Sequence, residues 1–326
     1  MADSDNATRA PESDAQEQSQ TEQKTEKPII PGDTPAQEGP SMGDHEHCVT
    51  DRPTPPGQRS TGEIIKLNDV DVYISKPSDY PHSPAKLLLL LTGGTGIQSV
   101  NNQIQADEYA AEGFLVLMPD MFGGDLAPGS SAVIDESSSL LEQVKLKAAE
   151  MAKSFVIDMW LARITPDKVM PILHKVIEAA KDQYADAVKH GEGIYAVGYC
   201  VGGRFVLLLG KETKKPEGGD EETGDQKTGP YIKAGAVAHA ASVDPEDFKD
   251  VKVPLSLVCV ENDPLFSDAV RTVGEETMSN ANLEHEVQVY PQVPHGFAVV
   301  GVYDDESIRS AQATAYEQMV DWIQSH

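Results

Sequence analysis

The chain has 326 residues, of which 39% are hydrophobic, and it carries a formal net charge of −27. This surplus of acidic groups repels phosphates, which argues against nucleic acids and anionic membrane surfaces as partners. No apolar run approaches the length of a membrane-spanning helix, so we expect an acidic cytoplasmic protein.

The first 47 residues have the composition of a disordered tail. They contain eleven acids, three basic residues and no aromatic residue. Such a segment cannot bury enough apolar surface to offset the entropy that it would lose on ordering. It also lacks the apolar stretch of a secretory signal and the arginine-rich composition of a mitochondrial presequence. We therefore assign 1–47 to an acidic tail and 48–326 to one globular domain.

Deletion of residues 1–47 is expected to change neither the melting temperature nor the turnover of the protein, because an unpacked tail adds no buried surface to the domain. Thermal unfolding and steady-state kinetics of the full and truncated chains would measure this. A clear fall in melting temperature on truncation would show instead that the tail packs on the domain.

The rest of the chain alternates between predicted strands and helices. In chain order, the predicted strands are 63–67, 70–75, 86–92, 114–118, 194–197, 234–239, 255–260 and 285–290. The predicted helices are 101–112, 144–162, 166–190, 205–209, 266–281 and 307–324. The run 86–92 is almost wholly apolar, which is typical of a parallel strand covered on both faces. The alternation predicts an α/β fold with a mostly parallel central sheet and helices on both faces.

Residues 211–230 interrupt this alternation. The segment is charged and rich in glycine, and it shows no apolar periodicity. We interpret it as a charged surface insertion that follows the helix at 205–209.

The strongest functional signal is the sequence Gly198-Tyr199-Cys200-Val201-Gly202. It lies between two apolar runs, and this pattern predicts a tight turn between a strand and a helix. A turn this sharp needs glycine two residues before and two residues after its apex, because side chains there would strike the neighbouring elements. Cysteine at the apex is a candidate nucleophile, since a thiolate attacks carbonyl carbon readily once its pKa is lowered.

A candidate acid and a candidate base follow the cysteine in order. The strand 255–260 ends in a loop that contains Glu261 and Asp263, and the strand 285–290 precedes His295. The order nucleophile, acid, histidine is that of the α/β-hydrolases, whose nucleophile lies on such an elbow. Asp263 would accept a hydrogen bond from the histidine and hold its tautomer. Glu261 competes for this role, but Asp263 lies in the loop beyond the strand end.

Several segments resemble the dienelactone hydrolase family. Those around the nucleophile, the acid and the histidine are 198–203, 261–266 and 294–297. The segments that resemble the fungal branch of the family are 91–96, 101–103 and 118–125. The resemblance covers residue 48 to the C-terminus. It implies an α/β-hydrolase fold and hydrolysis of a carboxylic ester or lactone, a small-molecule substrate, without a metal or other cofactor.

The resemblance assigns roles to three side chains. It makes Cys200 the nucleophile, His295 the base and Asp263 the residue that orients the base. A second cysteine, Cys259, lies within an apolar strand and is expected to be a core residue. Cys48 lies at the junction with the tail, where the sequence offers no functional role for it.

Backbone amides are expected to bind the oxyanion of the tetrahedral intermediate. One is the N–H of Val201, directly after the nucleophile, and the other comes from Gly93 or Gly94. The alternative for the loop 92–96 is a phosphate-binding loop. That reading is disfavoured because no Gly-Lys-Ser/Thr follows the loop.

Three further residues are candidates for substrate contact. His239 ends a predicted strand at the same edge of the sheet as the nucleophile, so it either lines the pocket or makes a structural hydrogen bond. Tyr199 and Phe297 directly flank the nucleophile and the histidine loop.

The sequence departs from bacterial members of the family at two kinds of position. Those enzymes hold the resting thiol with a glutamate at the end of the first central strand, where this chain has Thr92. They also clamp a substrate carboxylate with arginines, where this chain has glycines at 123–124 and valines at 299–300. We therefore expect a pocket with little to hold a free carboxylate, and a preference for neutral esters or lactones.

Two other function classes remain open from the sequence. One is a non-catalytic α/β-hydrolase scaffold whose acidic tail and insertion recruit a protein partner. The other is a redox-sensing cysteine protein, in which Cys259 would have to approach Cys200. The ordered triad argues against the first class, and the lack of a credible resolving cysteine argues against the second.

Overall fold

The computed structural model describes residues 50–128, 155–214 and 227–326. The predicted tail 1–47, Cys48 and most of the predicted helix 144–162 lie outside these residues. So does the centre of the predicted insertion. The insertion begins with a two-residue strand and ends with another, and the antiparallel pairing of these strands brings its two ends together.

The apolar runs of the sequence form the strands of a mostly parallel sheet. The strands are β1 (Glu63–Leu67), β2 (Val70–Ser75), β3 (Lys86–Leu91), β4 (Phe114–Pro119), β5 (Ile194–Tyr199), β6 (Thr213–Lys214), β7 (Lys227–Thr228), β8 (Ala234–Ala238), β9 (Leu255–Val260) and β10 (His285–Tyr290). Eight of them form one sheet in the order β1-β2-β4-β3-β5-β8-β9-β10, and β6 pairs with β7. The pairs β1–β2 and β2–β4 are antiparallel, and the others in the large sheet are parallel.

Within the described residues, the helices lie where the periodicity predicts helix, and one predicted helix is divided. They are α1 (Val100–Ala111), α2 (155–163), α3 (Pro166–Gln183), α4 (Ala185–His190), α5 (Val201–Leu209), α6 (Asp268–Asn280) and α7 (Glu306–Ser325). The predicted helix 166–190 is divided in two, because Tyr184 leaves the helical conformation with φ −124° and ψ 39°. Among the described helices, none is both long and apolar enough to cross a membrane.

Side chains of β3 pack on both faces of the sheet. Leu87, Leu89 and Leu91 join a buried cluster with α3 and α5. Leu88 and Leu90 join a second buried cluster with α1 and α7. The helices therefore cover both faces, as the apolar run predicts. This architecture confirms the predicted α/β-hydrolase fold, and it leaves the carboxyl-terminal edge of the sheet for the loops that carry polar side chains.

Candidate active site

Cys200 lies at the apex of the turn between β5 and α5, with φ 53° and ψ −125°. A non-glycine residue in this region is strained, and it persists only where its surroundings hold it. The Cys200 N–H donates to the Ala238 carbonyl at 3.1 Å, and the Cys200 carbonyl accepts from the Ala241 N–H at 3.1 Å. The thiol is thereby held at the N-terminus of α5, where the helix dipole favours a negative charge.

The turn requires glycine for the steric reason that the sequence predicts. A Cβ atom at Gly198 would lie 2.6 Å from the Gly202 carbonyl oxygen, and one at Gly202 would overlap the Leu91 carbonyl. Across the turn, a Cβ at Gly93 would lie 3.1 Å from the Cβ of Cys200. These three glycines allow α5 and the loop after β3 to approach Cys200 closely.

His295 and Asp263 form a buried pair. The histidine Nδ1 lies 2.8 Å from Asp263 Oδ2, and the two side chains are 1% and 0% exposed. The other oxygen of Asp263 accepts a hydrogen bond from the Leu265 N–H at 2.9 Å. Glu261, the competing acid, is exposed. Because Nδ1 is bound to the carboxylate, Nε2 is the ring nitrogen available for proton transfer at the thiol.

The surroundings of His295 favour its protonated form. Burial by itself lowers the pKa of His295, but the charge and hydrogen bond of Asp263, followed by those of Cys200, raise the pKa from 6.5 to about 10. A cation beside a cysteine stabilises the thiolate. His295 is therefore largely a cation at neutral pH.

Cys259 differs from Cys200 in both position and pKa. It lies inside β9, is 1% exposed and joins the core cluster on the α3 and α5 side. Burial raises the pKa of its thiol to about 12, against the opposing effect of the Arg271 charge. A thiol with this pKa is almost wholly protonated at neutral pH, so the prediction that Cys259 is a core residue is confirmed.

Of the two loop glycines expected to bind the oxyanion, one lies beside the nucleophile. Gly93 packs against Cys200 and forms part of the cavity next to it. Gly94 is not part of that cavity wall, and its carbonyl accepts a hydrogen bond from the Ala127 N–H at 3.1 Å. Val201 is the first residue of α5, directly after Cys200. Of the expected donors, Val201 and Gly93 therefore adjoin Cys200.

A cavity opens beside the thiol, and we refer to it as the Cys200 cavity. Its wall is formed by residues from the N-terminal lead-in, the loop after β3, the start of α1, the ends of β5 and β8, and the segment after the histidine. These residues are Thr50, Asp51, Arg52, Gly93, Thr95, Asn102, Cys200, His239, Gly296, Val299, Val300 and Tyr303.

Sequence reasoning missed the part that the N-terminal lead-in plays. The Asn101 side chain donates to the Arg52 carbonyl at 2.7 Å, and the Val302 N–H donates to the Pro53 carbonyl at 2.9 Å. The Ser99 hydroxyl also donates to an Asp51 carboxylate oxygen at 2.9 Å. These bonds hold the lead-in across the mouth of the site. No local sequence pattern predicts these hydrogen bonds, because they join residues that lie about 50 or about 250 positions apart in the chain.

Arg52 adds a cationic residue that the sequence analysis did not foresee. The positions 123–124 and 299–300 carry no cation, but the lead-in places Arg52 in the wall of the Cys200 cavity. Its guanidinium carbon lies 4.5 Å from the centre of the Tyr303 ring, a cation–π contact. The preference for neutral esters or lactones stays a prediction.

The three candidates for substrate contact occupy different places. His239 lies in the wall of the Cys200 cavity. Tyr199 and Phe297 are not part of that wall. Tyr199 is buried with its hydroxyl 2.8 Å from the Tyr109 hydroxyl, and Phe297 is buried against the Tyr290 ring at 5.2 Å between centres. Both residues pack in the core beneath the site.

Sequence comparison identifies relatives over most of the chain. The family described as the Dienelactone hydrolase family matches residues 70–326. The hydrolase pyvD of Aspergillus violaceofuscus is 28% identical, with 81% of this chain and 90% of that protein covered. Dienlactone hydrolase 1 of Gibberella moniliformis is also 28% identical, with 81% and 87% covered.

Structural comparison gives the same architecture. A crystal structure of a protein from Klebsiella pneumoniae, described as a dienelactone hydrolase, aligns with a TM-score of 0.60 and 14% identity, over 82% of this chain and 100% of that one. Esterase 2 of Thermogutta terrifontis in its apo form aligns with a TM-score of 0.52 and 14% identity, over 82% and 96%. At these identities the likeness shows the fold alone. The family match, however, runs from the start of β2 through α7, so the chain belongs to the dienelactone hydrolase family and is a carboxylic ester hydrolase.

Proposed function

We propose that the protein hydrolyses a carboxylic ester or lactone through Cys200, His295 and Asp263, with an acyl-thioester intermediate. One observation carries the proposal. The buried His295–Asp263 pair lies at the same sheet edge as an elbow cysteine, and Cys200 contributes to the raised pKa of His295. A nucleophile, a base and an orienting carboxylate in this arrangement are the parts that acyl transfer requires.

The first half of the reaction forms the thioester. The Cys200 thiolate attacks the carbonyl carbon, a C–S bond forms, and the carbonyl electron pair moves to oxygen. The N–H groups of Val201 and Gly93 donate to this oxyanion. As the intermediate collapses, the bond between carbon and the leaving oxygen breaks, and the His295 Nε2–H gives its proton to the alkoxide. In a lactone the alkoxide remains attached to the acyl group.

The second half releases the acid. Neutral His295 takes a proton from a water molecule, whose oxygen attacks the thioester carbon. The C–S bond breaks, and the thiolate and the imidazolium are restored. Asp263 stabilises the imidazolium in both halves and keeps Nδ1 protonated. The pKa of about 10 for His295 is consistent with a resting pair of charged groups.

Alkylation with iodoacetamide at pH 7 is expected to modify Cys200 far faster than Cys259. The reason is that the first thiol faces an imidazolium, whereas the second has a pKa of about 12. Peptide mass spectrometry over time measures both rates in one sample. In the matched variant His295→Ala, the rate at Cys200 should fall while that at Cys259 stays the same.

Equal rates at the two thiols would contradict an activated nucleophile and would favour the non-catalytic scaffold. A disulfide between Cys200 and Cys259 after mild oxidation would favour the redox sensor instead. The depth and high pKa of Cys259 argue against that second outcome, because a resolving thiol must reach the thiolate form.

A further inference from the structure

The imidazole of His239 is held rigidly in the wall of the Cys200 cavity. His239 directly follows β8 and has φ 36°, a conformation rarely adopted by residues other than glycine. Its N–H donates to the Val258 carbonyl at 2.7 Å, which fixes the backbone. The ring is 0% exposed to bulk solvent and lies 4.9 Å from the His295 ring, centre to centre. The position of this side chain is therefore set by its surroundings.

No other residue in the described part of the chain hydrogen-bonds a ring nitrogen of His239, and the residue's own backbone has only a small effect, which raises its pKa. Its ring neighbours are His295, Tyr199 at 5.9 Å and Phe297 at 6.1 Å. These contacts hold the ring without satisfying its nitrogens. A buried polar group left unpaired costs about 1–3 kcal/mol, so a fold seldom keeps one unless something binds to it. The strained backbone at the same residue adds to that cost.

The charge state of His239 limits what it can bind. Burial, and then the positive charge of His295, lower the pKa of His239 well below 6.5. The ring is therefore neutral at physiological pH, with one N–H donor and one nitrogen acceptor. A neutral imidazole gives little attraction to a carboxylate but pairs well with a hydroxyl or a carbonyl oxygen. His239 and Cys200 line the same cavity, so an oxygen bound by His239 would share that cavity with the reacting carbonyl.

We propose that His239 is a specificity-determining residue that hydrogen-bonds a second oxygen of the substrate, a hydroxyl or carbonyl group near the scissile ester. The inference rests on the proposed function and adds the substrate class, esters or lactones with a neighbouring hydroxyl or oxo group. His239 moves no proton in the reaction. A substrate without the second oxygen leaves a buried ring nitrogen of His239 unpaired. The site therefore discriminates against such substrates.

The test compares γ-butyrolactone with its α-hydroxy and β-hydroxy derivatives, together with the keto analogue of the better derivative. Wild-type protein should hydrolyse at least one oxygenated lactone with kcat/KM about tenfold or more above the parent lactone. His239→Phe keeps a flat ring of similar size and removes both nitrogens. It should reduce the ratio of the two kcat/KM values, oxygenated lactone over parent lactone, to about one.

Two controls separate recognition from folding. The alkylation rate of Cys200 and the melting temperature report whether the nucleophile and the fold survive in His239→Phe. If that variant does not fold, His239→Gln retains a donor and an acceptor and should keep part of the preference. If His239→Phe lowered kcat/KM by the same factor for every lactone, His239 would have a structural role and the inference would be overturned.

A wild-type protein that hydrolyses the parent and the oxygenated lactones equally well would also overturn the inference, but it would leave the proposed function standing. Failure of the proposed function has a different signature. In that case Cys200→Ala would retain the hydrolysis of lactones and aryl esters, whatever their substituents.

Discussion

Replacement of Cys200 by alanine is expected to reduce ester and lactone hydrolysis by about a thousandfold or more, with the fold intact. Alanine removes the sulfur atom that we propose forms the acyl intermediate, and loss of a covalent nucleophile costs several orders of magnitude in comparable enzymes. The methyl group that remains fits the elbow, because Gly93 packs against the Cβ of residue 200 rather than against its sulfur alone. The measurement is kcat/KM on an aryl ester and a lactone, with thermal unfolding as the check on folding.

Cys259→Ala is the matched control for this variant. It removes the other buried cysteine among the described residues, in β9 and outside the wall of the Cys200 cavity. We expect unchanged activity and a loss of about 1 kcal/mol in stability from the small void. If Cys200→Ala retained more than about a tenth of the wild-type rate, Cys200 would not be the nucleophile.

Replacement of Asp263 by asparagine is expected to lower kcat by about three to four orders of magnitude. The carboxylate holds Nδ1 of His295 at 2.8 Å and is the main reason that the pKa of this histidine is raised. Without that charge, burial lowers the pKa of His295, so the imidazole becomes neutral at pH 7 and the thiolate loses its partner. Both turnover and the alkylation rate of Cys200 should therefore fall together.

Asp263→Asn is also expected to change how the free energy of unfolding depends on pH. In the wild type, protonation of His295 has a folded-state pKa of about 10 and an ordinary value of 6.5. The stabilisation is therefore fully present below pH 6.5 and is lost as the pH rises through 10. Asp263→Asn should lose this dependence. Unfolding by urea at a series of pH values measures it for both proteins.

Glu261→Gln is the control that separates the two acids of the loop. Glu261 lies two residues before Asp263 and is exposed, so the substitution should leave kcat within about twofold of the wild type. A large loss of activity in Glu261→Gln with little loss in Asp263→Asn would transfer the orienting role to Glu261.

Much of the fold follows from local features of the sequence. The strands β9 and β10 have their predicted bounds. The first is an apolar run, apart from Ser256, that follows Pro254. The second has valines in alternation with polar residues and ends before Pro291. Proline cannot donate to the strand ladder, so it limits the strand. The elbow is equally local, since only glycine fits at 198 and 202 when a strand turns directly into a helix.

Other features depend on how distant elements meet. The order of strands places the ends of β5, β8, β9 and β10 at one edge, and only there do Asp263 and His295 come together. The sequence left two readings of His239, pocket or structural hydrogen bond, and only the tertiary structure places this residue in the wall of the Cys200 cavity, where its role in substrate binding is a proposal. The sequence did not predict that Arg52 lies in the wall of the Cys200 cavity, because this position depends on hydrogen bonds to Asn101 and to the segment near Val302. Periodicity and the steric demands of a turn depend on about ten neighbouring residues. Cavity walls, by contrast, are built from residues that only the packed sheet brings into contact.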